Sequence, residues 1–398
     1  MKALKFSSWI ILSISVLIFI ACGGGGSTGG AGTGTLSVGL TDSSTGKYLA
    51  IYITVDEVQV NKKSSSNGNS GWQTIATPKK TYNLLKLVNG ITEILGEDEL
   101  EAAIYRQIRL VIGKTAESEN NIKGEPHPYA NYVVLTDDSY VELKIPSGYQ
   151  TGVKLVHNFS VENGGFVELI LDFEACRSVV ETGSQKYILK PTIKVIEREN
   201  KFQVYGTVKE QGTDIPIKGA LVSAQISEGL SASVVRSTLT SAAVGEEGWY
   251  SLILSPRQTY NMVVYSDIKV GGQLYLPVCV KIGEPLNSDL RQDFTLEKSN
   301  IGTINGVVSF SGDIDSSNPP VVYLGFYTTL DCGENYYVEV ITLPVSPDPV
   351  SHNISYSVDL PLGTYDVVAS SDGFDAQTMT AVELTSEEPV FNSVDFAF

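Results

Sequence analysis

From Thr35 to the C-terminus, apolar residues keep returning at every second position. "TLSVGL" sets Leu36, Val38 and Leu40 on one face; "AIYITVDEVQV" sets Ile51, Ile53 and Val55, then Val58 and Val60. Period-two runs broken by Gly, Pro, Asn and Asp are the mark of half-buried strands. Each such strand must bury one face against another layer. The predicted fold class is therefore mainly β, as three β-sandwich-like domains in tandem. The alternation slips by one at Asp56-Glu57, which predicts a β-bulge.

At 398 residues the chain holds two to four domains of ordinary size. The first is read over 35–199. "NYVVLTDDSYVELKI" predicts a hairpin turning over Thr136 to Ser139, and "VKLVHNFSVENGGFVELILDF" a second turning at Asn163-Gly164-Gly165. "YILKPTIKVI" closes the domain, with Pro191 marking an edge or bulge. "GEDELEAAIYRQIRLVIG" is ambiguous: its acidic start and Ala102-Ala103 are compatible with a short helix ahead of a strand over Tyr105 to Ile112.

The second and third domains, 200–298 and 299–398, read as a diverged repeat. Gly206 to Val208 parallels Gly306 to Val308. Tyr250, Leu252 and Leu254 parallel Tyr356, Val358 and Leu360, and Tyr260 parallels Tyr365. Each copy ends on Asp-Phe-x-apolar, at Asp293 to Leu296 and Asp395 to Phe398. Short strands at this spacing predict sandwiches.

The N-terminus carries a different signal. Lys2 and Lys5 precede the apolar run Trp9 to Ala21, with no acid among them. That run is shorter than the roughly 20 residues a spanning helix needs. A basic start, a short apolar run and a small residue make a secretory signal over 1–21. "FIAC" resembles the bacterial lipobox, with Phe19 where Leu is usual. The resemblance implies lipidation of Cys22, and two or more chains are needed for stable anchoring. Cys22 to Gly34 is Gly/Ser/Thr-rich, a linker too poor in side chains for a core. Gly23 after the cysteine implies an outer-membrane lipid anchor facing the periplasm or the cell surface. The expected partners are the membrane, through that anchor, and a glycan or envelope protein.

Two further resemblances follow. "YGTVKEQGTDIPIKGALVSAQ" with "GWYSLIL", and "YSVDLPLGTYDVVASSDGF", look like carboxypeptidase regulatory-like, prealbumin-like sandwiches, a fold overlapping with carbohydrate-binding-like ones. "GTLSVGLTD", "IYITVDEVQV", "YRQIRLVIG" and "YILKPTIKV" resemble domain-of-unknown-function family 4382, a bacterial lipoprotein domain with no established activity. That family commonly has Leu-Pro-Ala-Gly-x-Tyr where this chain has Leu100 to Tyr105. Glu101 and Ala103 replace Pro and Gly, and Ala does not readily take positive φ. A helical turn is the expected substitute.

The chemistry-bearing residues are few. A net charge of −17 disfavours nucleic acid and anionic surfaces. The 3 histidines lack zinc-hydrolase spacing. His157 reads as a hydrogen-bonded core or edge residue, His127 as part of an exposed loop, and His352 precedes a strand. No phosphate loop, dinucleotide fingerprint or nucleophile elbow occurs, so no cofactor, metal or catalytic residue is expected. Asp172 and Glu174 share one strand face, a pair more in keeping with a solvated acidic surface than with acid–base work. Asp313 and Asp315 have calcium-like spacing without the rest of an EF-hand loop. Cys176, Cys279 and Cys332 fall in three different domains, so no disulfide framework is expected and any single bridge would join domains. Cys279 lies off the apolar row of its strand and is expected to be an exposed thiol, whereas Cys176 reads as a small buried hydrophobe. The candidate ligand-binding residues are Trp249, Tyr275, Tyr323, Tyr327, Tyr336 and Tyr337, flat rings suited to stacking on sugars. These features point to a non-enzymatic envelope protein with a binding or adhesion role. The alternatives are a structural accessory of an envelope assembly, or an enzyme with a site around Asp172, Glu174 and His157.

Overall fold

The computed structural model describes residues 32–42, 48–62, 71–146, 151–184, 186–198, 202–256, 258–266, 273–283, 286–316 and 318–398. The signal segment, Cys22 and the linker as far as residue 31 lie outside these. The fold is almost entirely β, built from facing sheets that enclose three main cores.

In the first region, Thr33–Asp42 is the spine of a small sheet. It pairs in parallel with Phe166–Phe173 and antiparallel with Glu93–Glu101, and Ile193–Glu197 forms the edge. The facing sheet is organised around Tyr48–Lys62, whose partners include Ala103–Ile112 and Tyr132–Leu135. Leu36, Val38 and Leu40 from one sheet and Ile51, Ile53, Val58 and Val60 from the other meet in a single core. The pairing with Ala103–Ile112 shifts between Val55 and Glu57, which places the bulge at the phase slip. The hairpin over Thr136 to Ser139 joins Tyr132–Leu135 to Tyr140–Lys144.

Three local expectations are corrected. The turn at Asn163-Gly164-Gly165 does not make a hairpin. Val153–Val161 pairs with Ala103–Ile112, whereas Phe166–Phe173 pairs with Thr33–Asp42 in the other sheet. The turn is a corner between sheets, held by Gly164 N–H to the Thr33 carbonyl at 2.7 Å and Thr35 N–H to the Gly165 carbonyl at 2.9 Å. The Glu97 to Ala103 stretch is not helical. Glu93–Glu101 is a strand that buries Leu95 and Leu100 and exposes Glu97, Asp98 and Glu99; its register slips beside Leu95, which lets two leucines of opposite parity both face inward, and sheet pairing overrides its helix-friendly composition. Ala102 then donates its N–H to Gly32 at 2.6 Å, and the next strand begins at Ala103. The strand Thr33–Asp42 also starts inside the stretch read as linker.

The second and third regions repeat one plan. Phe202–Glu210 pairs antiparallel with Trp249–Leu254 and parallel with Phe294–Leu296; Ile301–Ser309 pairs antiparallel with Asn353–Pro361 and parallel with Phe396–Ala397. Each small sheet faces a larger one. In the second region this runs Ser231–Leu239, Leu221–Glu228, Tyr260–Ser266, Leu274–Ile282; in the third, Asn335–Ser346, Val322–Asp331, Gly363–Ser371, Gln377–Leu384. In each copy a tyrosine near a strand start reaches back to a carbonyl. Tyr260 Oη donates to Ser255 at 3.1 Å and Tyr365 Oη to Pro361 at 2.8 Å. This is the hydrogen-bonding logic of a tyrosine corner.

The third region joins the first directly. Val179–Thr182 runs parallel to Asn335–Ser346, with Glu181 opposite Val345 and Thr182 opposite Ser346. Among the described residues, one sheet of 13 strands therefore passes from the first region into the third. Gly32 to Phe398 forms one compact unit.

Candidate functional site

The polar groups that sequence patterning would put on surfaces converge instead where the three regions meet. Glu339 lies within the apolar run "YYVEVITL" and Gln225 within "ALVSAQI"; both are buried. Gln225 Nε2 donates to the Glu339 carbonyl at 2.6 Å, and Glu339 N–H donates to Gln225 Oε1 at 2.9 Å. The amide thus imitates a strand and pairs the second region to the third. On the side chain of Glu339, Arg177 Nη2 from the first region donates to Oε1 at 2.5 Å. Thr342 Oγ1 donates to the same oxygen at 2.7 Å, and Tyr327 Oη to Oε2 at 3.2 Å. Burial, together with the Glu339 carboxylate, pushes the Tyr327 hydroxyl up, so it stays a donor. Arg177 Nε also lies 3.8 Å from Glu174, whose other oxygen pairs with Lys194. Paired in this way, buried charges are tolerable; unpaired they are not.

A partly enclosed cavity of about 310 Å³ adjoins this network. Glu174, Arg177 and Glu339 line its polar end. Its walls come from all three regions, among them Leu221 and Leu239, Ile341 and Leu343, and Tyr48. Cys279 and Cys332 form a disulfide nearby at the seam between the second and third regions. The expected exposed thiol at Cys279 is therefore corrected. Cys279 does sit off its apolar row, but that face is covered by the third region, where Val263, Cys279, Cys332 and Val338 pack together. The side chain of Cys176 lies outside the described residues.

The candidate aromatics do not assemble into one platform. Tyr275 is buried in the core of the second region and donates to Glu210 Oε2 at 2.8 Å. Burial and that carboxylate push its hydroxyl up to about 12. Tyr337 is buried, stacked on Tyr327 at 5.2 Å, and pushed up to about 12 by burial and Asp366. Tyr323 packs partly buried against Val180, Ile188 and Val321. Tyr336 is half-buried under Lys281, whose ammonium lies 5.6 Å from the ring. Trp249 is also half-buried, in the strand opposite Thr207. Of the six, only Tyr327 and Tyr337 are in ring contact among the described residues.

The acids of the first region are also placed differently from a solvated face. Asp172 is 1% exposed and lies 3.1 Å from Arg236 of the second region. Burial raises its carboxyl, with Arg236 opposing. Its strand is central to one sheet and covered by the second region, which a surface reading missed. His157 Nε2 sits 3.0 Å from Glu197, an edge histidine with a partner. His127 lies in a loop whose flanking residues Pro126 and Pro128 are exposed, as expected, but its own ring turns inward. It is half-buried, its ring is 4.8 Å from Tyr52, and Nδ1 is 2.8 Å from Tyr132 Oη; burial lowers its imidazole. His352 takes φ of 57° ahead of Asn353–Pro361. Among the described residues, no three His, Cys, Asp or Glu side chains are placed to hold one metal ion. Among the same residues, no helix is long and apolar enough to cross a membrane.

The first region, with its two facing sheets and its bulged central strand, is the part that a family matches. Residues 33–191 match the family described as "Domain of unknown function (DUF4382)". The DUF4382 match ends just before the strand Ile193–Glu197, so it carries the Arg177 and Glu174 side of the junction but not its Glu339 side. No curated protein matches the chain. Among solved structures, the Bacillus anthracis TIE protein aligns at 12% identity and TM-score 0.20, over 92% of this chain and 50% of that one. The chain thus spans about half of that protein's length. A streptococcal ancillary pilin aligns at 8% identity and TM-score 0.19, over 91% and 99% of the two chains. A DUF3823 family protein from Parabacteroides merdae aligns at 16% identity and TM-score 0.18, over 47% and 99%. Likenesses at these TM-scores carry no argument about function.

Proposed function

We propose that the chain is a non-enzymatic cell-envelope protein with a binding or adhesion role, held at the outer membrane by lipid on Cys22. The observation that carries this reading is the fusion of the three regions. A shared sheet, a disulfide and the Gln225–Glu339–Arg177 network make one stiff body from what the sequence presents as separate modules. A stiff body holds its surfaces in fixed relation, so less ordering free energy is lost when a ligand engages them. Sugar contact, on this reading, falls to the half-buried rings of Trp249 and Tyr336. Tyr275 and Tyr337 serve packing.

Two experiments test it. Metabolic palmitate labelling is expected on the wild type and lost in Cys22→Ser, with the protein leaving the membrane fraction; label retained overturns the anchor. A glycan array and a pull-down from detergent-solubilised envelope are expected to return a saturable ligand, and silence in both overturns the binding role. The same stiffness suits a structural accessory, and a single stoichiometric cross-linked envelope partner selects that second reading.

A further inference from the structure

The third sandwich opens at the end where Ile301–Ser309 and Gly363–Ser371 run out and Val322–Asp331 begins. The opening is a cleft of about 490 Å³, completed by Lys190 from the first region. That volume falls within the range of small-molecule sites. One wall is aromatic. Phe310 stacks on Phe398 at 5.3 Å, and Phe374 stands edge-on to both, at 5.4 and 5.5 Å. Phe310 is buried, but Phe374 keeps 48% of its surface exposed. A tight turn holds it there. Gly373 takes φ of 84°, and the Phe374 N–H donates to the Ser371 carbonyl at 3.2 Å. A ring that served packing alone would sit deeper, because exposed apolar surface is unfavourable. Tyr323, one of the six rings singled out in the sequence, lines the same cleft.

Ser371 supplies an independent observation. It extends the inward row Tyr365, Val367 and Ala369 to the cleft and is only 8% exposed. Its hydroxyl has no hydrogen-bond partner among the described residues. A buried hydroxyl in that condition is costly and calls for a partner. The lining also offers the exposed carboxylates of Asp313 and Asp372 as acceptors, and the ammonium of Lys190. Pro319 O takes one of the three ammonium donors, at 2.6 Å. A sugar presents a C–H face ringed by hydroxyls, which suits an aromatic wall beside polar groups. A purely apolar ligand would bury Ser371 still unsatisfied.

We infer that this cleft is a saccharide-binding site, with the C–H face of one sugar unit on Phe374 and a hydroxyl on Ser371. The inference rests on the binding role proposed above and adds a site that neither Trp249 nor Tyr336 lines.

The test applies the full chain carrying Cys22→Ser to an array of neutral oligosaccharides, followed by calorimetric titration of each hit. Three variants are compared: Phe374→Ala, Ser371→Ala, and Trp249→Ala combined with Tyr336→Ala. At least one hit is expected to weaken about tenfold or more in Phe374→Ala and about fivefold in Ser371→Ala, and to change less than about twofold in the third variant. The urea midpoint of Ser371→Ala is expected to hold or rise, since a buried unpartnered hydroxyl is removed, so its loss of binding cannot come from unfolding. Hits that keep full affinity in both Phe374→Ala and Ser371→Ala overturn the site. If those hits are instead lost in the Trp249→Ala, Tyr336→Ala variant, the glycan role stands and this inference alone falls. An empty array overturns the site as well, while a ligand recovered in the envelope pull-down would still sustain the binding role.

Discussion

Tyr250 stands directly across the ladder from Gly206, and the same pairing recurs between Tyr356 and Gly306. Each tyrosine donates its hydroxyl to a carbonyl of the returning C-terminal segment, Tyr250 to Gln292 and Tyr356 to Val394, both at 2.6 Å. Each glycine lets that carbonyl approach. An added Cβ would meet Gln292 O or Val394 O at 1.9 Å. The closing aspartate then accepts from the next backbone N–H, Asp293 from Thr207 and Asp395 from Val307, both at 2.8 Å. Glycine, tyrosine and aspartate together latch the last strand of each sandwich in parallel to its first.

Gly306→Ala is therefore expected to destabilise the chain by about 2 kcal/mol or more, because the obstructing atom is backbone and cannot rotate away. Gly312→Ala, with nothing within 4 Å of its Cβ, is expected to stay within about 0.5 kcal/mol. Urea midpoints of the two variants check this, and equal midpoints would refute the latch.

The disulfide closes a loop between positions separated by 53 residues. Loop-closure entropy for that length corresponds to about 4 kcal/mol of stabilisation. The paired Cys279→Ser, Cys332→Ser variant is expected to lose a large part of it in urea unfolding. Non-reduced peptide mapping is expected to recover the peptide carrying Cys279 joined to that carrying Cys332. Separate recovery of the two would contradict the linkage.

The latch was legible in the sequence because its three residue types recur at matching places in both copies, and the bulge at Asp56-Glu57 because a phase slip has one local cause. What joins the regions was not. The parallel pairing of Glu181 with Val345 has no local signature, since neither strand's alternation names its neighbour. Cys279 shows the limit well. Parity gave its face correctly, but whether a face meets water depends on what docks there. The same holds for Asp172, whose strand is covered on both sides. Gln225 and Glu339 did leave a trace, as polar residues set inside apolar runs, a pattern that marks buried polar partners as readily as exposure.

Arg177 and Glu339 join the first region to the third through a charge-assisted bond with a buried carboxylate. Arg177→Ala leaves Glu339 with only its Thr342 and Tyr327 donors. The expected loss is about 2–3 kcal/mol, below the value for a wholly isolated ion. Glu339→Gln in the same background is expected to restore part of it. A double-mutant cycle by urea unfolding checks this, and additive losses would show that the two do not couple.

The alkaline limit of stability follows from the buried tyrosines. Burial and neighbouring carboxylates push Tyr275 and Tyr337 up to about 12, and burial does the same for Tyr82 and Tyr187. In the unfolded chain a tyrosine titrates near pH 10. Between these values the folded state holds protons that the unfolded state has released. Stability must therefore fall as pH rises through that window, and these residues contribute no slope below it. The urea midpoint is expected to be insensitive to these groups up to about pH 10 and to drop steeply from there toward about pH 12. Tyrosinate absorbance is expected to rise in step with unfolding. Tyr275→Phe removes one such group and leaves Glu210 with Lys298 and Thr213 as its partners, so its midpoint is expected to fall less steeply across the window. A wild-type midpoint that stays level to about pH 12 would mean that these hydroxyls are open to solvent.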